Sequence, residues 1–205
     1  MDTFTEHTGT GAPLRISDVD TDQIIPARFC AGVTTDGLAD ALFADWRSNP
    51  DFVLEQPAYR DATVLVAGED FGTGSSREWA VWALQGYGFR VVIAPRFGDI
   101  FRGNALKNGL LTVEVPQDVV DRIWKDLENH PEVPVTVDLV RLQISVGDTV
   151  YRFHLDEHTR GRLLHGYDDI GLTLVHAADI DAYECRRRPT LPTARRIDRQ
   201  EARHG

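Results

Sequence analysis

Two apolar runs, ATVLVAG at 62–68 and FRVVIAP at 89–95, set the strongest limit on how this chain can fold. Both are rich in branched side chains, as strands covered on both faces are. Between them Ala80, Ala83, Leu84 and Tyr87 recur at helical spacing. A strand, a helix and a second strand in this order close as a right-handed parallel crossover. The pattern continues. GDIFRGNALKNG reads as a second helix, closed by Gly109 and packed through Ile100, Phe101 and Leu106, and LLTVEVP follows as another strand. QDVVDRIWKDLENH places Val119, Ile123 and Leu127 on one helical stripe. After Pro131 the runs VPVTVDL, RLQISVG and TVYRFHL are separated by turns and read as antiparallel strands, and DEHTRGRLLHG and DIDAYECRRR as a final pair of helices. The expectation is an α/β fold, one domain over residues 1–185 with mixed parallel and antiparallel sheet, and neither internal repeat nor linker.

The chain has 205 residues, 42% of them hydrophobic and 26% charged, the profile of one globular domain. At this length roughly 70% of the unfolded surface is buried on folding, so no metal or disulfide is required for stability. The first residues, MDTFTEHTGTGAPL, show neither a basic nor an apolar leader region, and no apolar run approaches a membrane span. A cytoplasmic protein with no membrane association is expected. Seven arginines oppose only Asp198 and Glu201 in residues 186–205, which gives that tail +5 and leaves −15 on the rest of a chain whose net charge is −10. An acidic body does not suit nucleic-acid binding. The arginine-rich tail reads as a solvated, disordered end.

The stretch GTGSSREWA at 72–80 concentrates chemistry. Ser75, Ser76, Arg77 and Glu78 fit the pattern in which Ser75 caps a helix and Glu78 reaches back to it. Gly72 and Gly74 exceed what a cap needs, because paired glycines let the backbone turn tightly and approach a bound group. With Arg77 one turn into a helix N-terminus, the stretch also reads as a site for a carboxylate. Both readings stand on the residues alone. A P-loop would need Lys followed by Ser or Thr, and a dinucleotide fingerprint a small residue where Arg77 stands.

A serine can act as a base only where its alkoxide is stabilised, and proton removal beside a carboxylate calls for an electrophile across the substrate. This chain offers no metal cage. His154 and His158, four apart, lack a third ligand, and Cys30 and Cys185 are too few for an iron–sulfur cluster. In DTDQIIPARF, Asp20 and Asp22 fit a turn, with Asp22 supporting the site wall. Arg28 is a candidate for a distal carboxylate or a plain surface arginine, and Phe29 and Val33 are candidates for an alkyl pocket. Asn104 and Lys107 read as helix-surface groups.

DVDTDQIIPARF, LFADWR, DFGTGSSRE, GFRVVIAPRFGDIFRGNALKNGLL and GYDDIGLTLVH occur in this order over residues 18–176. By these blocks the chain resembles the small-subunit family of bacterial 3-isopropylmalate dehydratase, across residues 4 to 185. The resemblance implies a swivelling β/β/α domain like the fourth domain of aconitase, working with a large subunit that carries a [4Fe–4S] cluster. It implies Ser75 as catalytic base, Ser76 and Arg77 as binders of a substrate carboxylate, and interconversion of 2- and 3-isopropylmalate through isopropylmaleate in leucine biosynthesis. The family has histidine where this chain has Trp79, which opens the substrate to another 2-alkylmalate or a homoaconitate-type acid. A non-catalytic anion-binding module that stabilises a partner is the third reading.

Overall fold

A computed structural model describes residues 1–30, 37–75 and 77–187. Its centre is a parallel sheet in the order β2 (Gly11–Leu14), β3 (Val64–Ala67), β4 (Val91–Ala94) and β5 (Leu111–Glu114). Every residue of β2, β3 and β4 is buried, because the sheet is covered on both faces. The two-residue alternation of a strand splits the interior into two cores. Leu65 and Ala67 point into one and Val64 and Val66 into the other.

The first core is roofed by α1 (Thr21–Ile24), α2 (Leu38–Ala41), α3 (Glu78–Tyr87) and α4 (Asp99–Lys107). The second holds α5 (Gln117–Asn129) and an antiparallel sheet in the order β1 (Glu6–Gly9), β6 (Val135–Asp138), β7 (Gln143–Val146), β8 (Thr149–Arg152), with Leu163 of α6 (Glu157–His165). Two polar anchors fasten α5 of the second core: Trp124 Nε1 donates to the Val66 carbonyl of β3 at 2.8 Å, and the Tyr59 hydroxyl, from the segment before β3, donates to the Leu127 carbonyl at 3.0 Å. The mixed α/β architecture is the one expected.

Some local expectations need correction. On α5 the buried stripe is Val120, Ile123, Trp124 and Leu127, and Val119 is only half-buried at its edge. Phe101 and Leu106 of α4 are buried, but Ile100 is 55% exposed. The strands at residues 6–14 carry no branched apolar run, yet one extended segment serves both sheets, β1 in the antiparallel and β2 in the parallel one. Pro13 fits there because β2 is an edge strand, where a missing N–H breaks no ladder.

The chain divides into two compact units, Met1–Asp168 and Asp169–Gly205. The described part of the second consists of α7 (Asp169–Val175), not foreseen from the sequence, and α8 (Ala177–Arg186). The tail beyond Arg187 lies outside the described residues.

His7 of β1 shares a 2.8 Å hydrogen bond with the Thr63 hydroxyl beside β3. Burial, aided by the nearby Arg90 charge, pulls its pKa below 6.5, so the fold favours the neutral ring. The unfolded chain therefore takes up this proton first, and stability present above about pH 6.5 is lost as pH falls through the lower folded value. Urea midpoints measured from pH 7.5 to 5 are expected to fall more steeply for the wild type than for His7→Gln, which keeps a hydrogen-bonding side chain but cannot titrate.

Candidate active site

The hydrogen-bonded ladder of the parallel sheet does not stop where its strands stop. Beyond β2, β3 and β4 the segments at 19–21, 71–73 and 96–98 remain side by side, with bridges between Asp20 and Thr73 and between Phe71 and Phe97. Gly72 N–H donates to the Val19 carbonyl at 2.7 Å, Thr21 N–H to the Thr73 carbonyl at 2.9 Å, and Gly98 N–H to the Phe71 carbonyl at 2.9 Å. This is the carboxyl end of a parallel sheet, where loops gather side chains for ligands. Gly72 has φ +80° and lies against the Phe101 ring, and a Cβ on Gly98 would collide with the Gly72 carbonyl oxygen. Both positions therefore require glycine. Gly72, Thr73, Gly74, Gly98, Asp99 and Ile100 line an open cleft at this edge.

The capping role foreseen for Ser75 is not what the structure shows. α3 starts at Glu78; its N-cap residue is Arg77, extended at φ −128° and ψ 104°, and no side chain caps it. Arg77 thus stands at the helix entrance and not one turn inside. The carboxylate of Glu78 accepts from Asn108 Nδ2 at 2.7 Å and does not turn back to Ser75. A capping box does exist, on the adjacent segment: Asp20 accepts from Gln23 N–H at 2.8 Å, and the Gln23 side chain accepts from Asp20 N–H at 2.8 Å. Asp20 thus opens α1.

Freed from capping, Ser75 is exposed at the end of the glycine loop. Its carbonyl is held by the hydroxyl of Thr21 at 3.0 Å, a side chain only 1% exposed. Arg77 donates through Nη1 to Asp22, the neighbour of Thr21, so α1 supports both residues. A guanidinium has five N–H donors, and one bond to Asp22 does not exhaust them. The α3 entrance adds partial positive charge at the same place. Burial pushes the Cys30 thiol pKa up, against the lowering effect of the nearby Arg77 charge.

Of the residues singled out in the sequence, the structure gathers Asp22, Gly72, Gly74, Ser75 and Arg77. Glu78 is directed away, toward Asn108. Arg28 is engaged elsewhere, with Asp45 at 2.5 Å and over the Phe29 ring at 4.7 Å. Both members of that ion pair are more than half exposed, so it stabilises little. Ser76 and Val33 lie outside the described residues. Trp79 packs edge-on to Trp82 at 5.2 Å, and Trp82 Nε1 donates to Asn108 Oδ1 at 3.4 Å. Thr21, Gly98 and Asn108 were not foreseen: each acts through a neighbour distant in sequence, and only the spacing of Asp20 and Gln23 was available as a local signal. Among the described residues no three His, Cys, Asp or Glu side chains are grouped to hold a metal, and two cysteines, one in each unit, do not fit an iron–sulfur cluster.

Gly98→Ala is expected to cost about 1–3 kcal/mol through overpacking against the Gly72 carbonyl. Urea unfolding measures the loss, and hydrogen exchange is expected to show faster exchange at the amides of Gly72 and Gly98 with β6–β8 unchanged.

The family model described as the aconitase C-terminal domain matches residues 1–118, and the model of the C-terminal domain of the 3-isopropylmalate dehydratase small subunit matches residues 169–196. A protein of Beutenbergia cavernae named 3-isopropylmalate dehydratase small subunit is 62% identical over 192 residues, covering 94% of this chain and 91% of its own. One of the same name from Acidothermus cellulolyticus is 59% identical over 195 residues, covering 95% and 99%. The crystal structure of 3-isopropylmalate dehydratase from Methanocaldococcus jannaschii superimposes with a TM-score of 0.64 at 26% identity, over 87% of this chain and 99% of that one. With more than half its length matched by the aconitase-domain model and its near relatives sharing one name, the chain belongs to the family of 3-isopropylmalate dehydratase small subunits.

Proposed function

We propose that this chain completes, on a cluster-bearing large subunit in the cytoplasm, a hydro-lyase site that interconverts 2-isopropylmalate and 3-isopropylmalate through isopropylmaleate. The observation that carries this reading is the exposed Ser75, fixed by Thr21 through its carbonyl and followed by Arg77 at an uncapped helix entrance. The shared name of the relatives favours isopropylmalate over other 2-alkylmalates or homoaconitate-type acids, and over a non-catalytic module. The [4Fe–4S] cluster is assigned to the large subunit, where it supplies a Lewis acid for the departing hydroxyl.

Each role of this chain follows from charge and reach. Ser75 Oγ, as alkoxide, takes the proton from the carbon next to the one bearing the hydroxyl; the C–H electron pair becomes the C=C bond, and the hydroxyl leaves with its bonding pair as hydroxide. Returning hydroxide to the other carbon of the double bond gives the isomer, and the Ser75 proton goes back to the vacated one, which restores the alkoxide. Arg77 and the α3 entrance lower the cost of the alkoxide, and Arg77 holds a substrate carboxylate while keeping Asp22. Asp22 thereby orients the guanidinium, which otherwise has several rotamers to choose from. Ser76 is assigned to the same carboxylate. Gly72 and Gly74 position the loop.

With the large subunit present and its cluster reconstituted anaerobically, Ser75→Ala is expected to lower kcat about 10²–10⁴-fold with little change in KM, the range for losing a proton-transfer group. Undiminished turnover in that variant would remove Ser75 as the base. Arg77→Lys keeps the charge but not the paired donors, and is expected to raise KM roughly tenfold or more. The steady-state kinetics of the same reconstituted complex measure both.

A further inference from the structure

We infer that α7 and α8 form a docking arm whose apolar side chains insert into a groove of the large subunit, an inference that rests on the two-subunit reading above. Neither helix has a buried residue, although they run to only 7 and 10 residues. Helices this short are marginal in water unless an apolar face is packed. That face is present and uncovered. Ile170 and Leu174, one turn apart on α7, are 70% and 65% exposed, and Tyr183 on α8 is 59% exposed. Among the described residues, these three with Val175 and Ile180 make up five of the ten exposed large hydrophobics, all between positions 170 and 183. Such a concentration marks an interaction surface and not scattered surface exposure.

The occupant follows from a further observation. Residues 1–118 match the aconitase C-terminal domain, whereas residues 169–196 match a segment described as belonging to the dehydratase small subunit. The apolar arm is therefore a feature of the small-subunit family and not of the aconitase domain as such. A domain carried on a separate chain must be brought to its partner by binding energy. A large-subunit groove with an apolar floor is the complement of this exposed face.

The test uses the full chain and the cluster-bearing large subunit of the same enzyme, with two variants, Ile170→Asp/Leu174→Asp and Tyr183→Asp. Because these side chains are exposed in the free chain, its Tm is expected to stay within a degree or two. The Kd for the large subunit, measured by titration, is expected to rise at least tenfold in each variant, with kcat at saturating large subunit within twofold of wild type. A Kd within twofold of wild type in both variants overturns the docking arm. So does a result in which the free wild-type chain sediments as a dimer and the variants as monomers without change in large-subunit affinity. A wild-type complex that forms, loses affinity in the variants, but fails to turn over isopropylmalate leaves the arm standing and overturns the proposed reaction instead.

Discussion

The interaction on which the rest depends is the backbone ladder that outlasts the parallel strands. Hydrogen bonds from Gly72, Thr21 and Gly98 to Val19, Thr73 and Phe71 keep three crossover loops in register for several residues past the sheet. A loop held on both sides by backbone bonds has little conformational freedom left to lose on binding, and this is the condition for placing one hydroxyl accurately. The two cores serve that end: apolar residues on both faces of β3 and β4 hold the sheet between two packed layers. Glycine at 72 and 98 is the local condition, because a side chain at 98 would push the Gly72 segment of the ladder away and one at 72 would run into the Phe101 ring.

What could be read from the sequence was what repeats along it. β3, α3, β4, α4, β5 and α5 carry their period in their own residues, and the three strands after Pro131 carry theirs. Residues 6–14 do not: EHTGTGAPL is held extended by pairing with strands of two sheets, and its glycines and proline erase the strand pattern. The site was legible in content and not in geometry. Ser75, Arg77 and the paired glycines stand together as expected, but the spacing of Ser75 and Glu78 suggested a cap that the extended backbone at Arg77 and the competing Asn108 amide prevent. Asn108 is thirty residues from Glu78, and no local rule connects them. The role of Thr21 was hidden in the same way, since a threonine between two aspartates looks like part of a turn until its hydroxyl is seen to hold the Ser75 carbonyl.

The aromatic pair at the start of α3 ties that helix to α4. Trp79 lies one turn from the Ser75 loop, and its ring meets Trp82 edge-on while Trp82 reaches Asn108. Asn108 in turn holds Glu78 and the Asn104 carbonyl at the end of α4. The Trp79 indole therefore belongs to a packed junction between α3 and α4, and contributes shape beside the site.

The exposure of Ser75 bears on when the proposed base becomes a base. In open water an alkoxide beside Arg77 gains little, because solvent screens the guanidinium and Asp22 already answers its charge. Covering the cleft with another protein surface removes that screening, and the same Arg77 and helix entrance then act on the oxygen at much lower effective dielectric. Asp22 is covered with them, yet it stays bonded to Arg77 and so does not become an unpaired buried charge. A substrate carboxylate adds a second anion to a single guanidinium, and this is tolerable only if further positive charge arrives from the partner side. Under the proposed function the division of labour is set by electrostatics: this chain would supply a hydroxyl and one compensated cation, and the proposed base would gain strength when substrate and partner close over it.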